Sequence, residues 1–247
     1  LGVVGERWRP LQNLDALRWF EPLLDAGLVE LHTAGSLRHG QRIWALAKIA
    51  APPLEIAPGD SVERYILLSN SHDGSLAIRI GFTPIRVVCM NTLRLAHGSQ
   101  ESKLIRVLHT ANASRTLQDL REAMNLANQS FEASAEQYRA LARRQLNKED
   151  LRRYVKIVLG VEKETDEQLP TRTLNRILEI EELVLVGRGV HLLTGMTYWG
   201  AYNAITEHLG WYAGRSQDTR LDSMWYGAGA TMNQRALDTA LELALGA

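Results

Sequence analysis

Residues 62–82 read Val-Glu-Arg-Tyr-Ile-Leu-Leu-Ser, then Asn-Ser-His-Asp-Gly, then Ser-Leu-Ala-Ile-Arg-Ile-Gly-Phe. Two apolar runs rich in β-formers are joined by five turn residues whose Asp-Gly supplies a positive φ, which is the pattern of a β-hairpin. Alternation puts Val62, Arg64, Ile66 and Leu68 on one face of the first strand. Leu76, Ile78, Ile80 and Phe82 then share a face of the second, and Arg79 points to the opposite side. Upstream, 28–36 and 42–49 flank Leu37-Arg38-His39-Gly40-Gln41, a second hairpin. The proline-rich breaks at 51–53 and 57–60 sit between strands, where proline removes no ladder bond. Downstream, Pro84 permits a short extended piece over 85–88, helical spacing over 89–96 stops at Gly98, and 103–109 returns to strand.

Beyond residue 110 the period changes. Leu117, Leu120, Met124, Ala127, Phe131, Ser134, Tyr138 and Leu141 follow one another at spacings of 3 and 4, a heptad seam on one long helix. Asn147 at the start and Gly160 at the end bound a shorter helix, because an Asn side chain satisfies first-turn amides and Gly closes the last turn. Further helices are predicted over 171–186, 197–211 and 231–245. The expected class is α+β: an antiparallel sheet of hairpins with a covering helix over 1–110, then a mainly helical region over 111–247.

The 247 residues balance 28 basic against 28 acidic side chains, which argues against a domain that binds phosphates by bulk charge. No apolar run is long enough to span a bilayer, and the single cysteine, Cys89, cannot form an internal disulfide. A cytoplasmic protein without membrane contact is therefore expected. The chain begins at Leu1 with a stretch that already reads as a strand over 1–7, so a fragment lacking its N-terminal part is expected. Its cations are 23 arginines and five lysines. Arginine suits bidentate contact with phosphate and stacking on rings, although a GC-rich coding sequence gives the same bias.

The seven histidines show no metal-binding spacing, and no Cys-x-x-Cys occurs. Ser71, His72 and Asp73 have triad chemistry, but adjacent residues project in different directions and form a polar turn instead of a hydrogen-bonded relay. His191 lies in an apolar stretch and reads as a core histidine. The Gly227-Ala228-Gly229 stretch lacks the preceding strand and later acid of a dinucleotide site, and reads as a loop before a helix. No catalytic residue, metal site or cofactor is expected.

Two basic groups remain. Arg139, Arg143, Arg144, Lys148, Arg152, Arg153 and Lys156 crowd a helix junction against Glu149 and Asp150 alone. On the sheet, Arg42 and Lys48 share a strand face with Trp44, and Arg86 can join Arg79. Cations with an aromatic between them suit a sequence-blind single-strand groove, and a half-solvated sheet face shows the same alternation. Rigid strands lose less side-chain entropy on binding than helix surfaces, so Arg79 and Arg86 are expected to matter more than the elbow.

Several strings carry a resemblance. Leu-Gly-Val-Val-Gly-Glu-Arg-Trp-Arg-Pro-Leu-Gln-Asn at 1–13, Thr-Ala-Gly-Ser-Leu at 33–37, Leu-Ser-Asn-Ser-His-Asp-Gly-Ser at 68–75, Thr-Pro-Ile-Arg-Val-Val-Cys-Met-Asn-Thr-Leu at 83–93 and Tyr-Trp-Gly-Ala-Tyr-Asn-Ala-Ile-Thr-Glu-His at 198–208 are quoted together for this reason. They resemble the phage/plasmid-like protein family, domain of unknown function number nine hundred and thirty-two. The resemblance carries over no catalytic residues, because the family has none assigned. A sheet of hairpins crossed by a helix is also similar in outline to ring-forming single-strand annealing proteins, a fold-level analogy.

The function expected on these grounds is binding and annealing of single-stranded DNA in phage or plasmid recombination or replication, by a homo-oligomer forming a ring or filament. The heptad seam is its expected interface. The alternatives are a metal-dependent nuclease, for which Asp60, Glu63 and Asp73 are available carboxylates, and a structural assembly protein without DNA activity.

Overall fold

The computed structural model describes residues 12–75, 79–87, 91–92 and 117–246. The strands expected over 1–7 and 103–109, the stop at Gly98 and the boundary at 110 lie outside the described residues. Contacts group the chain into two units: residues 1–53, 63–84 and 97–132 form one, and 54–62, 85–96 and 133–247 form the other.

The strands are β1 (Val29–Leu37), β2 (Arg42–Ile49), β3 (Leu54–Ala57), β4 (Asp60–Ser71), β5 (Arg79–Arg86) and β6 (Asn91–Thr92). They make one sheet in the order β1-β2-β4-β5-β6, with β3 paired to β4. Together with the helices below, this is the expected α+β class.

In the first unit, α1 (Asn13–Leu17), a 3-10 turn (Arg18–Phe20) and α2 (Glu21–Asp25) bury Ala16, Phe20 and Leu23. At five residues each, these helices are too short to carry a period. β1 and β2 pair antiparallel as the predicted hairpin, from Leu37↔Arg42 to Val29↔Ile49, with a bulge between Leu31 and Thr33. Across this ladder Trp44 lies over Gly35, where an added Cβ would sit 2.8 Å from the indole Cζ2. β2 then pairs antiparallel with β4, and Ala45, Ala47, Ile66, Leu68 and Ile80 form the sheet's share of the core. The long helix α3 (Leu117–Arg143) contributes Met124, Ala127 and Phe131 here, and the Phe131 ring meets Phe82 edge-on at 6.2 Å.

In the second unit, β3 closes on residues 60–62 of β4, and Asn91 and Thr92 pair antiparallel with Arg86 and Ile85. The covering helix expected over 89–96 is thus replaced at 91–92 by strand, and the rest of that segment lies outside the described residues. An apolar run this short fits either period, and the β5 ladder supplies its backbone partners. Pro84 lies inside β5 instead of preceding a separate extended piece.

The helices of this unit continue with α4 (Lys148–Leu159), α5 (Thr171–Val186), α6 (Tyr198–Glu207), α7 (Gln217–Tyr226) and α8 (Ala228–Leu245). α4 starts and stops as its ends dictate: Asn147 Oδ1 accepts the Asp150 amide at 2.8 Å, and Gly160 adopts φ 74°. All ten residues of α6 are buried. Tyr138 packs against Trp199 at 4.9 Å and Tyr202 at 6.5 Å, Tyr202 donates to Asn233 Oδ1 at 2.8 Å, and Tyr154 donates to the Ala236 carbonyl at 2.9 Å. Burial, chiefly, pushes the pKa of Tyr138 and Tyr154 well above the usual phenol range and keeps both neutral.

The heptad seam is buried from Met124 onward: Ala127, Phe131, Ser134, Tyr138 and Leu141 are each at most 5% exposed. Phe131 meets Phe82 and Tyr138 meets Trp199, both in the same chain. Over these residues the seam is an intrachain packing stripe and not an interface left open for a second subunit.

Candidate nucleic-acid interface

The family-like strings at 83–93 and 198–208 converge on one buried cluster in the second unit. Arg86 is 1% exposed and grips Asp60, 0% exposed, through Nε–Oδ1 at 2.7 Å and Nη2–Oδ2 at 2.6 Å. Trp199 Nε1 donates to the same Oδ2 at 2.8 Å, and its ring centroid lies 5.6 Å from the guanidinium carbon. The remaining guanidinium hydrogens reach the carbonyls of Arg188 at 3.3 Å and Gly189 at 3.4 Å. Arg86 is thereby coordinated on every side by protein, which removes the ground for ranking it above the elbow as a DNA contact.

The rest of the 198–208 string has the same character. Asn203 donates to the Trp199 carbonyl and Thr206 to that of Asn203. Glu207 Oε2 accepts the Arg188 amide at 2.9 Å, and His208 Nδ1 lies 2.9 Å from Glu179 Oε1. The model of the family described as Domain of unknown function (DUF932) matches residues 1–225. The chain belongs to this family. No curated protein and no solved structure matches it. Within this DUF932 chain, α8 lies beyond the matched residues yet supplies Asn233 and Ala236 to the tyrosines of the helical core.

The strand cations of the first unit are also engaged. Arg42 is 7% exposed and donates to Ser75 Oγ from Nε at 3.2 Å and Nη2 at 3.1 Å. Lys48 Nζ lies 2.5 Å from Glu63 Oε1, and Tyr65 donates to Glu63 Oε2 at 2.9 Å. Burial opposes the charge on Glu63, but the bonds from Lys48 and Tyr65 outweigh it and hold the carboxyl below its usual range. Trp44 covers Gly35. Arg64 is held by Asn128, Glu132 and the Pro52 carbonyl. Arg79 is half-buried and, among the described residues, has no ion-pair partner. The expected groove of Arg42, Trp44 and Lys48 is therefore a set of side chains already bound to neighbours.

The helix junction in the second unit divides its cations. Arg152 is clamped by Glu181 at 2.6 and 2.9 Å and by Asp166 at 2.9 Å; Lys156 reaches the Glu164 carbonyl and Asp166; Arg139 reaches the Glu55 carbonyl at 2.7 Å and Glu136 at 2.6 Å. Arg143, Lys148 and Arg153 are exposed and have no carboxylate partner among the described residues. Arg144 uses Nε on the Ala244 carbonyl at 2.9 Å and keeps its charge unpaired among the described residues. The backbone between them is fixed: the Tyr198 amide donates to the Arg144 carbonyl at 3.0 Å and the Leu146 amide to that of Met196 at 3.1 Å.

The minor candidates resolve simply. His72 bonds Asn13, and Asp73 accepts the Ser75 amide; the hydrogen bonds from Ser75 chiefly hold that exposed carboxyl below its usual range. The Gly229 amide donates to Ser223 Oγ at 3.0 Å and is not offered to an anion. His191 is exposed and is not a core histidine, because it sits on a 3-10 turn (Val190–Leu192) that does not continue a buried helix face. Asp60 and Glu63 are bound as above, and no group of three or more His, Cys, Asp and Glu among the described residues is placed to hold a metal ion.

The helix expected over 197–211 is α-helical only to Glu207. After α6 the chain makes a π-helical turn (His208–Tyr212) and presents Trp211, 43% exposed, and Tyr212, 52% exposed. The available signal was two bulky aromatics followed at once by Ala-Gly-Arg-Ser, where no apolar period continues to bury them.

Proposed function

We propose that this DUF932 chain binds single-stranded DNA and promotes annealing as a homo-oligomer without enzymatic turnover, in phage or plasmid recombination or replication, in the cytoplasm. The observation that supports this best is the elbow of α3 and α4, where Arg143, Arg144, Lys148 and Arg153 carry no carboxylate partner among the described residues while the cations around them are neutralised. Unpaired arginines on a fixed backbone hold a phosphodiester track without reading sequence. No helix among the described residues is long and apolar enough to cross a membrane. Since the seam of α3 is buried from Met124 to Leu141, subunit contacts draw on other surface, and α5 offers exposed Leu178, Leu185 and Val186.

The test is anisotropy of a labelled single-stranded oligonucleotide titrated with the chain at several salt concentrations, beside light scattering for mass. Binding that falls with salt at a log-log slope of roughly −2 to −3, from three or four phosphate contacts at −0.7 each, supports the proposal. Binding that is absent or flat with salt overturns it. Cleavage abolished by a chelator would replace it with the nuclease, and oligomers indifferent to DNA with the assembly protein.

A further inference from the structure

Trp211 and Tyr212 are large aromatics that the core of the second unit leaves outside. Tyr198, Tyr202, Ile205 and Leu209 follow one helix face and are each at most 8% exposed, and Tyr212 is next at the same spacing. The π turn, closed by the Ala213 amide donating to the His208 carbonyl at 2.8 Å, breaks that register and turns Tyr212 outward beside Trp211.

The guanidinium of Arg188 lies 3.6 Å from the centroid of the Trp211 ring. Its Nε is 3.8 Å from Glu207 Oε1, too far for a hydrogen bond, whereas Glu207 Oε2 binds the Arg188 backbone amide at 2.9 Å. Buried Glu207 therefore anchors the main chain of Arg188, and the guanidinium backs the indole while remaining 44% exposed. Arg215 follows on the exposed loop, with Asp218 the nearby carboxylate in the first turn of α7. Arg220 keeps a buried Nε with no partner among the described residues.

Resting on the single-strand reading above, we propose that Trp211 and Tyr212 are a base-stacking platform. Arg188 braces the indole from behind, and Arg215 meets the phosphate next to the stacked base. Every base has a π face, so the platform is indifferent to sequence, and it complements an elbow that supplies charge but no ring. Bound strand then makes two kinds of contact with separable signatures: salt-dependent at the elbow, base-dependent at the π turn.

The experiment compares the whole chain with W211A and W211F on labelled oligodeoxythymidylate and on inorganic polyphosphate, with melting temperature as the check on folding. W211A is expected to weaken oligonucleotide binding roughly five- to 150-fold, the usual range for losing one stacked base. W211F is expected to retain most of the affinity, and polyphosphate binding to be unchanged in both. Wild-type affinity for the oligonucleotide in W211A overturns the platform and leaves the single-strand reading standing. Equal loss on polyphosphate overturns it too, because the residue then acts through charge or fold. Intact DNA binding with a dissociated oligomer assigns the patch to a second copy of the chain and overturns it likewise. Absence of oligonucleotide binding by the wild type removes the single-strand reading itself and the platform with it.

Discussion

Arg86 and Asp60 meet in parallel, Nε to Oδ1 at 2.7 Å and Nη2 to Oδ2 at 2.6 Å, and Trp199 donates to the same carboxylate. Burying two charges this completely is tolerable only because each remaining polar atom has a partner. Removing one side alone leaves an uncompensated buried ion. Arg86→Ala is expected to destabilise the chain by about 3–5 kcal/mol in denaturant titrations. The Asp60→Ala/Arg86→Ala double variant should lose less than the sum of the two single variants. A loss below about 1 kcal/mol for the single variant would mean that the pair does not hold this unit together.

Trp44 and Gly35 are coupled across β1 and β2 in the same direct way. A methyl group at residue 35 would lie 2.8 Å from Cζ2 and 2.9 Å from Cε2 of the indole, so the ring must shift. Gly35→Ala is expected to cost about 1–3 kcal/mol through overpacking. The cost should shrink when Trp44 is also replaced by Ala, since the clash is then gone. Simple additivity of the two changes would show that the ring does not rest on Gly35.

The contrast between legible and illegible parts has physical causes. The α4 helix could be read because both ends carry their own chemistry, Asn147 and Gly160, within the helix's immediate sequence. The loop between β1 and β2 could be read for the same reason, whereas Asn70 and Ser71, expected in the second loop, pair with Ile43 and Arg42 as the end of β4. α7 could not be read: its first four residues are polar, it buries only Met224, and it is capped by Ser216 and Thr219 without the Glu or Gln that usually marks such a start. β3 is four residues between Pro53 and Pro58, and its pairing is decided by β4. At the candidate site, residue type was visible but availability was not. Arg86 is neutralised by Asp60 26 positions away, Arg152 by Glu181 29 away, and Trp199 joins Asp60 across 139. No local window holds that information, so strand and elbow cations looked alike.

His208 gives the chain a pH dependence with a defined sign. Burial pushes its pKa below the ordinary value, against the opposing bond to Glu179. The unfolded chain, with an ordinary histidine at about 6.5, then binds more protons on acidification than the folded chain does. This contribution to stability is complete above that value and declines as pH falls below it towards the lowered folded pKa. His208→Gln is expected to flatten the stability curve in that window. Glu63, whose pKa is also lowered, acts at more acid pH: its contribution is present above the unfolded carboxyl range and fades as pH falls through the folded value. Stability that rises on acidification from pH 7 to 6 in the wild type would contradict the assignment.

The elbow offers a partition within a single cluster. Arg143 and Arg153 are exposed without carboxylate partners among the described residues, while Arg152, the residue before Arg153, is gripped by Glu181 and Asp166. If phosphate is held here, Arg143→Ala with Arg153→Ala should weaken single-strand binding and reduce the magnitude of the salt slope by roughly 1.4, two contacts at about 0.7 each, with the melting temperature unchanged. Arg152→Ala should do the reverse: lower stability by breaking a pair that is part-buried at Glu181, and leave the salt slope close to wild type. Arg79→Ala is the matched control on the sheet, half-buried and without an ion pair among the described residues. A larger loss of binding in Arg79→Ala than in the Arg143 and Arg153 double variant would move the phosphate track from the helices of the second unit to the strands of the first.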